Sequence, residues 1–263
     1  MQKVFIDVKE LEKRMHEVFG ITEDVMIENA ASALESEVRK VLHDKDAEDA
    51  YERRPAYRAK RSTGARAAHL IEQASASLAY RTSASSNDVL IVCGSGNNGA
   101  DGYALARRIA GDIPVAVYSA CDAKTENCKR ERDAALAVGV KFVSRSTFLK
   151  RLASSVLVVD CLYGTGFRGT LIPDLSALID TINNAPCFRI ACDIPSGIDK
   201  RGAVLTEYKR TPLAFNADLT ISMGALKAAY FGDAAKDFCG IIKKYGIGVS
   251  GCVFEAGRAA DLY

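Results

Sequence analysis

Three stretches of the sequence combine glycines with oxygen-bearing side chains directly after runs of apolar residues. Residues 94–101 read GSGNNGAD, residues 160–170 read DCLYGTGFRGT, and residues 193–197 read DIPSG. An unbroken apolar run is typical of a buried parallel strand, because helices cover both faces of such a sheet. In an open α/β sheet, the loops after the carboxyl ends of the strands line the ligand crevice. We therefore expect the three stretches to meet at one site.

The first stretch contains the glycine spacing of a dinucleotide-binding turn, because glycines stand at positions 94, 96 and 99. In an NAD-dependent oxidoreductase, an acidic residue about 20 positions further on closes the second strand and holds the ribose hydroxyls. Here the predicted second strand ends at Tyr118 and Ser119, and Asp122 follows a few residues late. All histidines of the chain also lie outside the three stretches, so none is placed to donate a proton there. The pattern therefore argues against hydride transfer with bound NAD.

A second interpretation of the same stretches is a site for a hard cation. Asn98, Asp160 and Ser196 offer an amide oxygen, a carboxylate and a hydroxyl from three neighbouring strand ends. Ligand sets made only of oxygen select hard ions over zinc or copper. One carboxylate among neutral oxygens suits a monovalent ion such as potassium better than magnesium. The alternative is that these side chains only cap helices and fix loops.

The apolar patterns between these stretches alternate between strands and helices. Alternation of this kind predicts an α/β fold with a mainly parallel sheet and right-handed crossovers. Strands are predicted at residues 89–93, 115–118, 141–143, 156–159, 188–192, 217–222 and 241–247. Helices are predicted at residues 7–18, 21–42, 125–137, 146–153 and 173–183, with a further helix directly after the first glycine-rich stretch.

Length and composition are those of an ordinary globular protein. The 263 residues suffice for one large α/β domain or two small ones, and 48% of them are hydrophobic while 26% are charged. The net charge of +2 and the scattered aromatic residues provide no basic stripe for nucleic acid. Residues 43–87 are highly charged and poor in large aliphatic side chains, so we expect a charged insertion outside the main core.

Targeting signals and cysteine spacing bear on the compartment. The first residues interleave charged with apolar side chains, unlike a signal peptide. No later segment approaches the roughly 18 apolar residues that span a bilayer. Eight cysteines occur without a CxxC pair, and Cys93, Cys161 and Cys192 follow apolar runs, which favours reduced, buried thiols. We therefore expect a cytoplasmic protein with neither a membrane nor a nucleic-acid partner.

Four motifs and one helix resemble those of a known family, in the same order. The motifs are GSGNNGADGYALARRIA, VVDCLYGTGFRG, DIPSGIDKRG and ADLTISMGALKAAYFGDAAKDFCGIIKKYGIG, and the helix contains ITEDVMIENAA. They are similar to the YjeF N-terminal domain family, whose members are NAD(P)H-hydrate epimerases. The resemblance covers nearly the whole chain outside residues 43–87. It implies a Rossmann-like, three-layer αβα sandwich with a mainly parallel central sheet, formed as a single domain by residues 1–263 without a fused dehydratase domain.

The resemblance also implies roles for individual residues. Asp193 matches the family's substrate-contacting catalytic acid, and Asn98, Asp160 and Ser196 match the ligands of one potassium ion per subunit. Ala100 stands where the family usually has a glycine, and its methyl group would crowd the site if the backbone there required a positive φ. The implied substrate-binding residues are Asn97, Asn98, Gly99, Ala100, Asp101, Gly164, Thr165, Gly166, Phe167, Arg168, Gly169, Thr170 and Asp193.

The implied reaction interconverts the R and S forms of hydrated NADH and NADPH, which are called NADHX and NADPHX. Water has been added at C6 of the nicotinamide ring in these compounds, beside the ring nitrogen. Loss of the hydroxyl gives a nitrogen-stabilised cation, and water then returns on either face, with Asp193 as general acid and base. The resemblance further implies an S-specific dehydratase as functional partner and the homodimer common in the family. The alternative is a non-catalytic scaffold, against which the combination of Asn98, Asp160 and Asp193 argues.

Overall fold

A computed structural model of the protein describes residues 4–43 and 88–249, and strands alternate with helices from residue 89 to residue 192. Most of the predicted insertion, residues 44–87, lies outside the described residues. In chain order the elements are β1 (Val4–Phe5), α1 (Lys9–Phe19), α2 (Glu23–His43), β2 (Val89–Cys93), α3 (Asn97–Ile109), β3 (Val115–Ser119), α4 (Glu126–Ala137), β4 (Lys141–Phe142), α5 (Arg145–Leu152), β5 (Leu157–Cys161), α6 (Pro173–Asn184), β6 (Phe188–Cys192), β7 (Glu207–Tyr208), β8 (Thr211–Pro212), β9 (Leu219–Met223), β10 (Leu226–Lys227), a 3₁₀ turn (Ala228–Phe231), α7 (Lys236–Cys239) and β11 (Ile241–Tyr245).

Seven of the described strands form one parallel sheet, in the order β11-β9-β6-β5-β2-β3-β4. The chain runs from β2 to β3 and β4 on one side and then returns to β5 on the other side. The strand order therefore reverses between β2 and β5, and open α/β sheets bind their ligands at such a switch point. Gly94 directly follows β2, and Asp160 lies near the end of β5.

Apolar side chains on both faces of the sheet build the core. Ile91 and Val159 belong to a cluster with α2 and α3, whereas Leu90 and Val158 belong to a cluster with α5 and α6. Because helices cover both faces, every residue of β2 and β5 is buried. The predicted three-layer αβα arrangement around a parallel sheet is confirmed.

The apolar runs locate the central strands well but misplace two polar residues. Predicted strands 89–93 and 188–192 coincide with β2 and β6. The strand predicted at 156–159 extends to Cys161, so Asp160 belongs to β5 and not to the following loop. Asn97 is the first residue of α3, where the sequence predicts a loop. At Asp160 a polar side chain ends the apolar pattern while the strand continues, and at Asn97 a helix begins on polar residues that carry no apolar periodicity.

A two-residue strand near the N-terminus attaches the first helix to the carboxyl edge of the sheet. Strand β1 pairs in parallel with β10, where Phe5 lies beside Lys227. The Nζ of Lys200 also donates a hydrogen bond to Oδ2 of Asp7 at 2.6 Å. Helix α1 ends at Gly20, whose φ of 65° is left-handed. These contacts hold α1 beside the loops that follow β6 and β9.

The described residues also bear on the membrane and cysteine predictions. No helix among them combines the length and the apolar composition needed to cross a membrane. The seven cysteines that the structure describes are free thiols. Burial raises the pKa of the Cys93 and Cys161 thiols, which keeps them protonated and poorly reactive.

Candidate functional site

A cavity of about 770 Å³ opens at the carboxyl edge of the sheet. Residues that follow β2, β5 and β6 form what we call the sheet wall, and residues of α1 and α2 form the helix wall. Small-molecule sites commonly enclose roughly 300–1,000 Å³, so the cavity has a suitable size. The sheet wall contributes Asn97, Asn98, Asp101, Thr165 and Asp193, and the helix wall contributes Lys9, Glu12, Lys13 and His16.

Asp193 follows β6 in a strained conformation and reaches the cavity. Its φ is 64°, a left-handed value that non-glycine residues seldom adopt and that clusters at functional sites. The backbone N–H of Asp193 donates to the carbonyl of Ile221 at 2.9 Å, which anchors this turn to β9. The N–H of Thr165 donates to Oδ2 of the Asp193 side chain at 3.3 Å. The residue that the sequence predicts to be catalytic is thus held at the sheet edge.

Lys227 is buried against Asp193 and was not among the predicted site residues. Only 1% of its side chain is exposed, and its Nζ contacts Oδ1 of Asp193 as an ion pair without the alignment of a hydrogen bond. The same Nζ donates a hydrogen bond to the carbonyl of Met223 at 2.5 Å. Burying an ammonium group is costly unless a charge or an acceptor compensates it, and here both do. The only signal in the sequence is a lysine within the otherwise uncharged run GALKAAYF.

Asp160 and Ser196, two of the predicted cation ligands, are in direct contact. The hydroxyl of Ser196 donates to Oδ1 of Asp160 at 2.8 Å, and the N–H of Ser196 donates to Oδ2 at 2.9 Å. The N–H of Leu162 is a third donor to this carboxylate, at 3.1 Å. Complete burial raises the pKa of Asp160 to about 6, although the hydrogen bonds from Ser196 and Leu162 oppose the shift.

Asn98, the third predicted ligand, faces the loop after β5 from the first turn of α3. Its Nδ2 is buried and has no hydrogen-bond partner among the described residues. A Cβ atom placed on Gly164 would lie 3.3 Å from Oδ1 of Asn98 and 3.0 Å from Oδ2 of Asp193. Glycine at position 164 therefore leaves room for an amide and a carboxylate to approach the same point.

Asp101 is the second carboxylate of the sheet wall. Burial raises its pKa well above the ordinary value of 3.8, and the nearby charge of Asp193 adds to the shift. The thiol of Cys192 donates a long hydrogen bond to Oδ2 of Asp101 at 3.8 Å. A carboxyl group in this environment is favoured in its protonated form.

Two glycines of the fingerprint spacing serve chain packing in this structure. A Cβ atom on Gly94 would lie 2.0 Å from the carbonyl oxygen of Leu162, and one on Gly99 would lie 2.2 Å from the carbonyl oxygen of Gly94. Both contacts are too short for any side chain, so the two positions need glycine for close backbone approach. The glycine spacing alone therefore does not identify a phosphate cradle.

The remaining predicted substrate residues divide into two groups. Gly164, Thr165 and Gly166 line the cavity, but residues 167–170 do not belong to its lining. Phe167 packs into the core cluster on the α5 and α6 face, and Arg168 donates hydrogen bonds to the carbonyls of residues 165 and 167 at 2.7 and 2.5 Å. Gly99 and Ala100 are buried within α3, behind the cavity. Because Ala100 has a helical backbone, its methyl group causes no backbone strain.

Glu12 projects from the helix wall and was also missed by the sequence patterns. Its side chain is half-buried, and the pKa of its carboxyl group rises to about 7, mainly through burial and secondarily through the charge of Asp193. The periodicity of α1 shows which helix face is buried but not which group it meets, so this position carries no sequence signal of function.

Comparison with known proteins identifies the family of the chain. Residues 58–229 match the family described as YjeF-related protein N-terminus. The chain belongs to this family. A YjeF-related relative, the bifunctional NAD(P)H-hydrate repair enzyme Nnr of Helicobacter pylori, is 36% identical over 97% of this chain. The alignment covers 44% of that relative, so the chain spans less than half of its length.

Shorter YjeF-related relatives are covered more completely. The NAD(P)H-hydrate epimerase of Elusimicrobium minutum is 32% identical over 61% of this chain and 73% of its own length. The NAD(P)H-hydrate epimerase of Oenococcus oeni is 28% identical over 68% of this chain and 85% of its own length. The crystal structure of yeast ynu0, YNL200c, matches with a TM-score of 0.65 and covers 94% of this chain and 88% of that chain. At 15% identity, that likeness shows the fold alone.

Proposed function

We propose that the protein is an NAD(P)H-hydrate epimerase that interconverts the R and S forms of NADHX and NADPHX. The observation that carries the proposal is the placement of Asp193, ion-paired to buried Lys227, in a cavity at the sheet's switch point. Family membership and relatives named as NAD(P)H-hydrate epimerases support the same reaction.

The sheet wall supplies a base for the returning water and polar groups that can bind the substrate. The carboxylate of Asp193 is suited to take a proton from the water that returns to C6 of the ring. Thr165 donates to Oδ2 of that carboxylate and Lys227 contacts Oδ1, so its orientation is fixed before the substrate enters. Asn97, Asn98 and the protonated form of Asp101 offer polar groups that can bind the ring amide, the ribose or the phosphates of the substrate.

We propose that Asn98, Asp160 and Ser196 would hold a potassium ion. The buried carboxylate of Asp160 receives hydrogen bonds from neutral donors only, among the described residues, so a cation would compensate its charge. The Oδ1 atom of Asn98 lies close to Gly164 in the loop that follows β5, so this amide oxygen is the group that would join the carboxylate as a ligand. When bound, a monovalent cation would neutralise this negative charge and orient loop carbonyls toward the substrate.

The assembly and cellular context are proposed from the family. We infer that a dehydratase consumes the S form, because the Helicobacter relative is named as a bifunctional repair enzyme. Free, buried thiols favour a reducing compartment such as the cytoplasm. A homodimer is the assembly that we expect, and sedimentation of the purified protein tests it.

The proposed function is tested with a mixture of R and S hydrates and a dehydratase specific for the S form. Dehydratase alone should consume the S form rapidly and the R form only at the rate of spontaneous epimerisation. Addition of this protein should make consumption of both forms rapid, and Asp193→Asn should abolish that effect. If the R form still disappears at the spontaneous rate, the activity is absent and a non-catalytic binding role is favoured.

A further inference from the structure

The cavity contains an acidic side chain that the mechanism above does not use. Lys9, Glu12, Lys13 and His16 recur at helical spacing along α1 and line the helix wall. Glu17 continues this row but is exposed and pairs with Lys13, whereas Glu12 is half-buried and its carboxylate has no hydrogen bond or ion pair to any described residue. A half-buried carboxylate without a partner is costly to maintain for stability alone.

The position of Glu12 is fixed relative to Asp193 by two attachments of the N-terminal segment. Strand β1 pairs with β10 and places Phe5 beside Lys227, the ion-pair partner of Asp193. Lys200, on the loop that follows Asp193, donates a hydrogen bond to Asp7 just before α1. Glu12 and Asp193 therefore line one cavity from separate elements, which are held in fixed positions by these two contacts.

The electrostatic surroundings distinguish the two carboxyl groups. Asp193 has an ammonium group in contact, whereas Glu12 meets a buried environment and the like charge of Asp193. At neutral pH the cavity thus combines an ion-paired carboxylate with a carboxyl group that still carries a proton part of the time. The charged and titratable groups that face Glu12 are Asp193, Lys227, Asp7, Glu23 and Asp101 from other elements or segments, and Lys9, Lys13, His16 and Glu17 from α1 itself.

We propose that Glu12 is a second catalytic acid–base residue, acting on the face of the nicotinamide ring opposite to Asp193. This proposal rests on the epimerase function proposed above. The two epimers carry the hydroxyl of C6 on opposite ring faces, and a single carboxylate on one side of a bound ring cannot reach both. Asp193 belongs to the sheet wall and Glu12 to the helix wall of one cavity. A ring bound between the two walls would meet one group on each face.

In one direction of the reaction, Glu12 acts as the acid and Asp193 acts as the base. The carboxyl group of Glu12 gives its proton to the leaving hydroxyl, the C6–O bond breaks, and water departs while the ring nitrogen's electron pair forms the cation. A water on the opposite face forms a new C6–O bond and gives one proton to the carboxylate of Asp193. Proton exchange with solvent then restores the starting state. The reverse reaction exchanges the two roles, so either direction requires one proton on the pair.

The experiment compares Glu12→Gln, Glu12→Asp and the matched control Glu10→Gln, an exposed glutamate on the same helix. Epimerisation is measured against pH, with the spontaneous rate subtracted. Since acid–base groups contribute about 10²–10⁴-fold, Glu12→Gln should lower kcat by about 100-fold while KM changes little.

The pH dependence gives a second readout. The unaltered protein should lose activity as pH rises through about 7, because Glu12 then loses its proton, and Glu12→Gln should not show this loss of activity. Glu12→Asp should recover part of kcat, and Glu10→Gln should match the unaltered protein.

Three results would overturn the proposal. One is a Glu12→Gln variant with unchanged kcat and an unchanged pH profile. Another is an effect on KM alone, which would make Glu12 a binding residue. Inactivity of the unaltered protein would remove the epimerase function and with it this role. If Glu12→Gln fails to fold, the same comparison is made with Glu12→Asp, whose kcat must then fall for the proposal to stand.

Discussion

The Nζ of Lys227 contacts the carboxylate of Asp193 in a position where only 1% of the lysine side chain is exposed. The two residues are 34 positions apart in sequence, with Asp193 directly after β6 and Lys227 in β10. Tyr230 adds to the connection, because its hydroxyl donates to Oγ of Ser222 at 2.8 Å and lies 3.4 Å from the carbonyl oxygen of Asp193. The turn that contains Asp193 is therefore held in place from the side of β9.

Removal of the ammonium group should cost both stability and activity. Breaking one partner out of a buried pair typically costs about 3–5 kcal/mol, because the other charge remains buried and unpaired. We expect Lys227→Met to lower the free energy of unfolding by an amount of this order and to reduce kcat. Urea denaturation and the dehydratase-coupled assay measure the two effects.

A double variant separates the lost pair from general damage to packing. If the charge of Asp193 causes the loss, Asp193→Asn combined with Lys227→Met should be more stable than Lys227→Met alone. Equal stability of the single and double variants would mean that Lys227 acts through packing and not through Asp193.

Gly164 provides a steric test of the same site. A methyl group there would lie 3.0 Å from Oδ2 of Asp193 and 3.3 Å from Oδ1 of Asn98, so both side chains must shift by a few tenths of an ångström. Catalysis is sensitive to displacements of this kind. We expect Gly164→Ala to reduce kcat at least tenfold while the thermal unfolding midpoint changes little. Retention of full kcat would show that these two groups need not approach the loop so closely.

Potassium binding can be detected without following the reaction. An ion that binds only the folded protein raises the unfolding midpoint in proportion to the logarithm of its concentration. We expect KCl to raise this midpoint more than NaCl at equal ionic strength, and Asn98→Ala to abolish the difference. Asn98 is the preferred position for substitution, because its buried Nδ2 has no partner among the described residues to lose. Equal midpoints in KCl and NaCl would show that Asp160 and Ser196 only fix the loop.

The sequence predicts those parts of the fold that rest on local patterns. Strand β2 is recognisable because five consecutive apolar residues precede a glycine-rich turn. The helix predicted at 125–137 matches α4 to within one residue, because Thr125 is its cap and accepts a hydrogen bond from the N–H of Cys128. Asp160 and Asp193 could be selected because they end such runs at the edge where parallel strands terminate.

The sequence does not predict the contacts between distant segments. The pairing of β1 with β10 involves only two residues on each strand, too few to produce a periodic pattern. The burial of Lys227 depends on where that pairing and Asp193 place it, and the exposure of Glu12 to the cavity depends on where α1 lies. The strand pairing, the burial of Lys227 and the position of Glu12 in the cavity are all decided by tertiary structure. Local sequence patterns do not encode them.

The ionisation of Glu12 should also make the free energy of unfolding depend on pH, which can be measured without substrate. Burial and Asp193 raise the pKa of its carboxyl group from 4.5 to about 7, so the folded protein binds this proton more tightly than the unfolded chain. Its contribution to stability is therefore fully present below pH 4.5 and is lost as pH rises through about 7. Glutamine cannot ionise, so Glu12→Gln should be more stable than the unaltered protein at pH 8, and the advantage should shrink toward pH 5. Urea denaturation across this range measures the difference, with Glu10→Gln as the control. A difference that does not change with pH would mean that Glu12 titrates as in the unfolded chain, and the helix wall would then lack the proton that the second acid–base role requires.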